Sequence, residues 1–530
     1  MPTDCISYQE SGYFSKLMVD YLNQKPELGQ FYNHFPSIEN FEKQIREKQQ
    51  NFAGDAKRET LVEALEKQYE GFAISGATRK NIADLTNQDT FTITTGHQLN
   101  LFTGPLYFLY KIVSVINLTK ELRAAYPDYN FVPVYWMATE DHDFEEINHF
   151  SFKRKKIHWN TESTGPVGRL PTDGLDKVLD AFALELGPGK NAGTLKELFR
   201  ESYLNHATLA DATRFLANAL FGEEGLVIVD GDDRKLKKLF IPFAKEELLH
   251  RTSFEKVSQT IKDLKQYDIQ VNPREINLFY IEDHIRERIV FENGKYKVNT
   301  TTLEFSEQEI LDELENSPEK FSPNVILRPL YQEIILPNLC YIGGGGEIAY
   351  WLELKEMFDF HQITFPMLLL RNSVLLVSGK QEAKADKLQL RWQDLFAKQT
   401  DLVHAKTIEL SAFNLDFSEQ KAFLHQQFEK LGQIASQTHQ SFTGAVKAQE
   451  AKQLKGLENL EKKLLKAEKK KYQEELSRIT SLQEELFPNQ GLQERQLNFS
   501  EFYLESGNML IATLLEQLQP LTQDFSIVKL

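Results

Sequence analysis

Cysteine is nearly absent from this chain. Its 530 residues include two, Cys5 and Cys340, too few for a disulfide framework or a zinc knuckle. Cys340 lies in the apolar run LCYI and reads as a small buried hydrophobe rather than a nucleophile. Long apolar runs are missing as well: none approaches the ~20 residues that span a bilayer. The N-terminus, MPTDCISYQESGYF, has no basic segment followed by an apolar one, so no signal peptide is expected. A cytoplasmic protein without a membrane partner is the expectation. Positive charge is in short supply too. Lys plus Arg total 61 against 77 Asp plus Glu, a net charge of -16, which argues against nucleic acid as a general partner. A local basic patch around an anionic substrate is still allowed.

The length suffices for a large core and more than one structural unit, and the 37 Phe are mostly candidates for that core. Residues 1–88 read as a helical lead-in, with apolar residues three and four apart in SGYFSKLMVDYL and from Ile38 to Ala73. Phe91 to Thr95, FTITT, is a β-branched strand candidate that stops at Gly96. Pro105 suits a helix start, and helical spacing continues to about Ala125. Phe131 to Ala138, FVPVYWMA, is a strand of the kind buried on both faces. Strand, helix, strand at this spacing is a βαβ unit with a right-handed crossover. Further strand candidates are Leu226 to Asp230, Asn272 to Glu282 and Phe365 to Ser378. An α/β core over 89–385 follows, with inserted segments near 150–220 and 283–320. From about Asp416 the chain is rich in Glu, Lys and Gln. Leu457 and Leu464, and Leu465, Tyr472, Ile479 and Leu486, recur at seven. This predicts a coiled-coil seam within 386–487, in an antiparallel pair with 416–440, and a helical tail over 488–530. The lysines Lys462, Lys463, Lys466 and Lys469 to Lys471 read as its solvated face.

Three clusters carry chemistry. The first is Gly96-His97-Gln98 with Gly104-Pro105. A strand ending in glycine admits a ligand close to the backbone, His97 can act as acid or base, and the following helix offers free N–H groups. The second is Glu140-Asp141-His142-Asp143. Four ionisable groups directly after a buried strand call for a purpose or for solvent; a helix start rich in acids is the plain alternative. The third is Gly343-Gly344-Gly345-Gly346-Glu347, a glycine loop leading into a helix and a plausible anion nest; no Lys-Ser/Thr follows, so Walker A chemistry is not supported. If the runs are neighbouring parallel strands, the first two clusters share the carboxyl edge where such sheets bind ligands. Lys111, Arg274, Arg328 and Arg371 are basic residues that could complete an anion site, the three arginines being read as lying among apolar strands.

TTGHQLNLFTGPLYFLYK, PVYWMATEDHDFEEINH, NPREINLFYIED, LRPLYQEIILPN, YIGGGGEIAYW and LFPNQGLQERQLNF, in this order, resemble the bacillithiol biosynthesis cysteine-adding enzymes, the BshC family. The resemblance implies a Rossmann-like core related to nucleotidyl transferases, two connecting-peptide insertions, an α-helical coiled-coil domain and a homodimer formed through it. It also implies a ligase that joins cysteine to the amine of glucosaminyl-malate, and an association with an adenine nucleotide. The related transferases carry HxGH and KMSKS signatures. Here the first loop has Gly96-His97-Gln98 and Thr103-Gly104-Pro105, and RNSVLLVSGK offers only Lys380.

On this basis His97, Asp141, His142 and Asp143 are the expected catalytic residues, with His142 or Asp143 taking the proton of the attacking amine. Gly96, Gln98, Gly104, Tyr107, Lys111, Glu140, Arg274, Arg328 and Glu347 are expected to bind substrate. Gly343, Gly344, Gly345, Gly346, Arg371 and Ser373 are expected to hold the nucleotide, and no metal is expected. Two alternatives stay open: a nucleotide-binding scaffold without ligase chemistry, and a metal-dependent hydrolase built on Asp141-His142-Asp143.

Overall fold

A computed structural model describes residues 4–52 and 54–530. The chain forms two compact units, one of residues 1–376 with 493–530, the other of 377–492.

The first unit is built on a five-stranded sheet whose four strand pairs are all parallel. Its strands are β1 (Thr90–His97), β2 (Asn130–Met137), β3 (Val227–Asp230), β4 (Asn338–Gly343) and β5 (Met367–Leu370). The spatial order is β5-β4-β1-β2-β3. From β1 the chain winds outward through β2 and β3, then returns to the other side of β1 for β4 and β5. The order therefore reverses between β1 and β4, which opens a crevice beyond their carboxyl ends. Helix α1 (Tyr107–Ala125) joins β1 to β2 and is buried along most of its length. Phe91 and Ile93 of β1, Val115, Leu118 and Leu122 of α1, Phe131 of β2, and Leu339, Cys340 and Ile342 of β4 form one continuous core. Cys340 is fully buried, and burial pushes its thiol well above the usual range.

A second, antiparallel sheet has the order Glu304–Phe305, Lys295–Val298, Ile285–Glu292, Leu278–Glu282, Phe321–Pro323. The 150–220 region is a short hairpin, His149–Phe152 with Lys155–His158, followed by helices Leu175–Leu186, Lys190–Tyr203 and Leu209–Phe221.

The structure differs from the sequence pattern in four places. The run 365–378 is not one strand: β5 ends at Leu370, and Ser373–Val377 belongs to another sheet. The break falls at Arg371-Asn372, whose side chains bond away from the strand direction, to Glu494 and Ser114. Residues 272–277 are irregular, and the strand starts at Leu278. The segment around Arg328 is a helix, Leu327–Ile335. Finally, the lead-in and the tail each contain a strand: Asp4–Ser7 pairs antiparallel with Asp524–Lys529. Pairing between the two ends of a chain leaves no local periodicity to read.

The second unit contains α3 (Ser418–Ala435), α4 (Gln440–Lys471) and α5 (Gln473–Leu486). Lys421 pairs with Glu461, His425 with Glu450, and Thr443 bonds Ala435. The partner separation shrinks toward the turn, so α3 and α4 are an antiparallel hairpin. The sevenfold repeat does not run through one rod. The helix breaks at Tyr472, and Leu476, Ile479, Leu482 and Leu486 of α5 are buried within the body of this unit.

Candidate active site

The parallel register sets the site. Gly96 lies opposite Trp136 and His97 opposite Met137, while Thr94 faces Tyr341. The ends of β1, β2 and β4 thus open into one cavity of about 740 Å³. Its wall includes Gly96, His97, Gln98, Tyr107, Lys111, Glu140, Asp141, Arg274, Arg328, Gly344, Gly346, Glu347 and Arg371. His142, Asp143, Gly104, Gly343, Gly345 and Ser373 are not in that wall.

His97 is buried against Tyr107 and Phe108, with ring centroids 5.4 and 5.1 Å away. Burial, then the charges of Lys111 and Arg371, hold its pKa well below 6.5, against a weaker opposing hydrogen bond to the Thr103 backbone. The imidazole is therefore neutral, and its Nε2 has no partner among the described residues. Asp141 behaves in the opposite way. Burial favours its neutral form, but the His142 hydrogen bond, the Arg286 charge and the Gln98 amide outweigh it and hold the carboxyl well below its usual range. Gln98 Nε2 donates to Asp141 at 2.9 Å and also to Glu146 at 2.9 Å. Asp141 is thus a fixed negative charge rather than a proton carrier.

The sequence points to His142 and Asp143 as catalytic beside Asp141; neither lies in the cavity wall. His142 is half exposed, makes a tilted ring contact with Phe279 and meets Arg286 through Nδ1. Asp143 precedes a single helical turn, Phe144–Ile147, and lines a separate surface depression with Glu145 and Thr164. Asp143 faces away from this pair, whereas His142 Nδ1 stays 3.6 Å from Asp141. Among the described residues no group of three His, Cys, Asp or Glu is placed to hold a metal.

Lys111 is buried and donates to Gly96 O at 2.7 Å and to Glu347 at 2.6 Å. Glu347 in turn accepts from the Gly344 N–H at 2.7 Å, at the start of helix α2 (Gly345–Leu352). This bears on the nucleotide expected at the glycine loop. The positive end of α2 already meets the chain's own carboxylate, which would repel a phosphate. Gly345 faces Met18 and Phe14, and Gly343 O accepts from the Arg371 N–H. The loop does not fit a phosphate cradle. Arg371 is held through Nη2 by Glu494 at 2.7 Å, on which Ser373 also leans, while its Nε has no partner among the described residues and lies beside Gly344 in the cavity wall. Gly104 shapes the β1–α1 turn at φ +63, and Asn498 pins that turn by donating to Phe102 O and Gly104 O.

Glu140 pairs with buried Lys237 at 2.6 Å, which also bridges to Asp232. Burial and the neighbouring Asp232 raise the pKa of Asp230, whose carboxylate accepts from Thr139.

Sequence reasoning missed Arg286, Arg288 and Arg495, which also line the cavity. Arg286 lies over Phe279 at 4.1 Å. The alternation IRERIVFE puts Arg286 and Arg288 on one strand face, but nothing local shows that this face turns toward β1. Arg274, Arg288 and Arg495 form no ion pair with any described residue. Six arginines and one lysine thus surround a cavity with three carboxylates, Glu140, Asp141 and Glu347, in a chain of net charge -16.

Comparison with known proteins agrees with this layout. Residues 1–372 match a family model described as bacillithiol biosynthesis BshC, N-terminal Rossmann-like domain, and 374–530 match its C-terminal coiled-coil domain. The chain is similar to the "Putative cysteine ligase BshC" of Flavobacterium johnsoniae, at 65% identity over all of both chains. It is 54% identical to that of Christiangramia forsetii, over 100% of this chain and 99% of the relative, and 38% identical to that of Cytophaga hutchinsonii, over 98% and 97%. A crystal structure titled as a putative arginyl-tRNA synthetase from Campylobacter jejuni covers 82% of this chain and 97% of its own at 11% identity and a TM-score of 0.22, too slight to bear on the fold. With both domains matched in order and near-complete relatives of this identity, the chain belongs to the bacillithiol biosynthesis BshC family.

Proposed function

We propose that the protein is a cysteine ligase of bacillithiol biosynthesis and forms an amide between cysteine and the amine of glucosaminyl-malate. The observation that carries this reading is the concentration of positive charge in the cavity. Glucosaminyl-malate brings two carboxylates, and arginine forks match carboxylates in two-pronged geometry. In a crevice walled by protein, such charges attract an anion more strongly than at an open surface.

The attacking amine must lose a proton. His142 and Asp143 lie outside the cavity wall, and Asp141 is held ionised by its partners. We assign to His97, which is neutral, lines the cavity and keeps Nε2 unpartnered, the orientation of the uncharged amine by accepting its hydrogen bond; burial and the charges of Lys111 and Arg371 disfavour full protonation of the ring, so the proton passes on to solvent. Glu347, anchored by Lys111 and Gly344, faces the same space and suits the incoming ammonium before deprotonation. The cysteine carboxyl must first be activated, with ATP as the co-substrate that supplies the phosphate ester. Attack by the amine then forms the C–N bond as the bond from the carbonyl carbon to the phosphate oxygen breaks and the phosphate group leaves; no residue is assigned to that activation.

The test is incubation of purified protein with cysteine, glucosaminyl-malate and ATP, followed by quantification of the thiol product. Product formed at a catalytic rate, and lost in His97→Asn, supports the assignment; a folded wild type that yields no product refutes it. A homodimer through the helical unit is also proposed. Phe423, Ile434 and Leu460 of α3 and α4 are more than half exposed, which a second hairpin would cover. Phe423→Asp should convert a dimer to a monomer in light scattering.

A further inference from the structure

One wall of the cavity is irregular backbone. Residues 264–277 run between the helix Thr252–Asp263 and the strand Leu278–Glu282 without helix or strand. This strap supplies Gln270, Val271, Asn272 and Arg274 to the cavity. A segment of this kind has no ladder to satisfy its backbone groups and draws its order from whatever meets its N–H groups.

Its anchors are buried carboxylates from three different elements. Near the start, Tyr267 OH donates to Asp20 at 2.9 Å. At the end, Asn277 N donates to Glu247 at 2.8 Å, and Ser253 Oγ donates to the same carboxylate at 2.7 Å. In the middle, where the strap faces the cavity, Glu353 takes both contacts. Gln270 N donates to its Oε1 at 2.7 Å and Val271 N to its Oε2 at 3.4 Å. Glu353 is 1% exposed and follows directly on α2, the helix that starts at the glycine loop. It forms no ion pair with a described residue. The Gln270 carboxamide also lies against Gly346, where an added Cβ would sit 3.7 Å away.

Burying a carboxylate without a cation is unfavourable unless hydrogen bonds to the charged form compensate. Here the compensation consists of the two strap amides, one on each oxygen. A neutral isostere cannot reproduce this arrangement. A carboxamide has one acceptor oxygen, and its NH2 would oppose the second backbone N–H donor to donor.

We propose that Glu353 is a positioning residue for the anionic substrate: it ties the 264–277 strap to α2, so that Asn272 and Arg274 are set in the cavity before the substrate arrives. This deepens the ligase reading above and rests on it for the identity of the anion. A preset arginine binds more tightly than one that must be ordered on binding. Glu353 touches no reacting atom in this arrangement; it acts through the strap.

The test uses the full chain at pH 8 and its Glu353→Gln and Glu353→Asp variants, with L-malate as the probe. Three quantities are measured: amide hydrogen exchange of a peptide covering 265–277, L-malate affinity by calorimetry, and the thermal midpoint. In Glu353→Gln, strap exchange should accelerate about tenfold or more and malate affinity should fall about tenfold, the scale of one lost charge-assisted hydrogen bond. The thermal midpoint should hold or rise, because the cost of burying the charge disappears together with its hydrogen bonds. Glu353→Asp keeps both acceptors and should fall between wild type and Gln. In turnover, KM for glucosaminyl-malate should rise while kcat stays near wild type. A residue with a merely structural role would lower the midpoint and change all regions together.

Unchanged strap exchange, or faster exchange with unchanged malate affinity, overturns the proposal. Wild type that fails to bind malate overturns the anion-cavity reading instead, and the exchange measurement still decides whether Glu353 holds the strap.

Discussion

Replacing Glu494 with alanine should destabilise the first unit far more than a surface substitution would. Arg371 and Glu494 are 3% and 1% exposed and pair at 2.7 Å. Glu494 also accepts from Ser373 Oγ at 3.3 Å and from Val374 N at 3.0 Å. The alanine variant thus leaves a buried guanidinium without its counter-charge and a buried N–H without its acceptor. Breaking a buried pair from one side typically costs about 3–5 kcal/mol, against about 0–1 kcal/mol for an exposed pair. Replacing both partners by apolar residues removes the stranded charge, so Arg371→Met with Glu494→Leu should recover most of the loss. The four tryptophans are Trp136, Trp159, Trp351 and Trp392, and the first three lie in the first unit. Urea titration in a Trp392→Phe background, followed by fluorescence, therefore reports that unit. A loss below about 1 kcal/mol for Glu494→Ala, or a double variant whose loss equals the sum of the two single ones, would refute the reasoning.

Three further outcomes are expected. The Glu353 carboxyl is pushed up to about 7 by burial, from an ordinary 4.5. Because the folded value is the higher one, its stabilising contribution is complete below about pH 4.5 and is lost as pH rises to 7. Thermal melts of wild type and Glu353→Gln should therefore diverge across that window, to the disadvantage of wild type, and parallel curves would contradict the assigned burial. Arg286→Ala removes a cation stacked on Phe279 beside Asp141 and should raise KM for the malate-bearing substrate about tenfold or more; an unchanged KM would place the anion elsewhere. Asp143→Asn should retain product formation within about twofold, since its side chain faces a separate surface depression rather than the cavity; abolition of product would make Asp143 a catalytic candidate again.

Much of the site was legible before the fold was known, for a physical reason. In a parallel sheet, ligands meet the carboxyl ends of strands, and strand ends show in sequence as a β-branched run that stops at glycine or at acids. Gly96-His97-Gln98 and Glu140-Asp141 were visible in this way, and register brought them together through the Gln98–Asp141 hydrogen bond. Side-chain direction was not visible. Asp141 turns into the cavity while His142 and Asp143, its immediate neighbours, do not. Likewise the glycine loop looked like a phosphate nest, yet Glu347, within the same motif, folds back onto Gly344.

The sequence alone determined the parallel α/β core, the helical unit and the family, because these depend on local periodicity and on ordered motifs. Only the tertiary structure decided which charges face one another. Arg286 and Arg288 come from the antiparallel sheet, Arg495 from the chain after the helical unit, and the Glu353 anchor from the end of α2. Electrostatic environment is a matter of distance through space, and distance through space is what sequence separation does not encode.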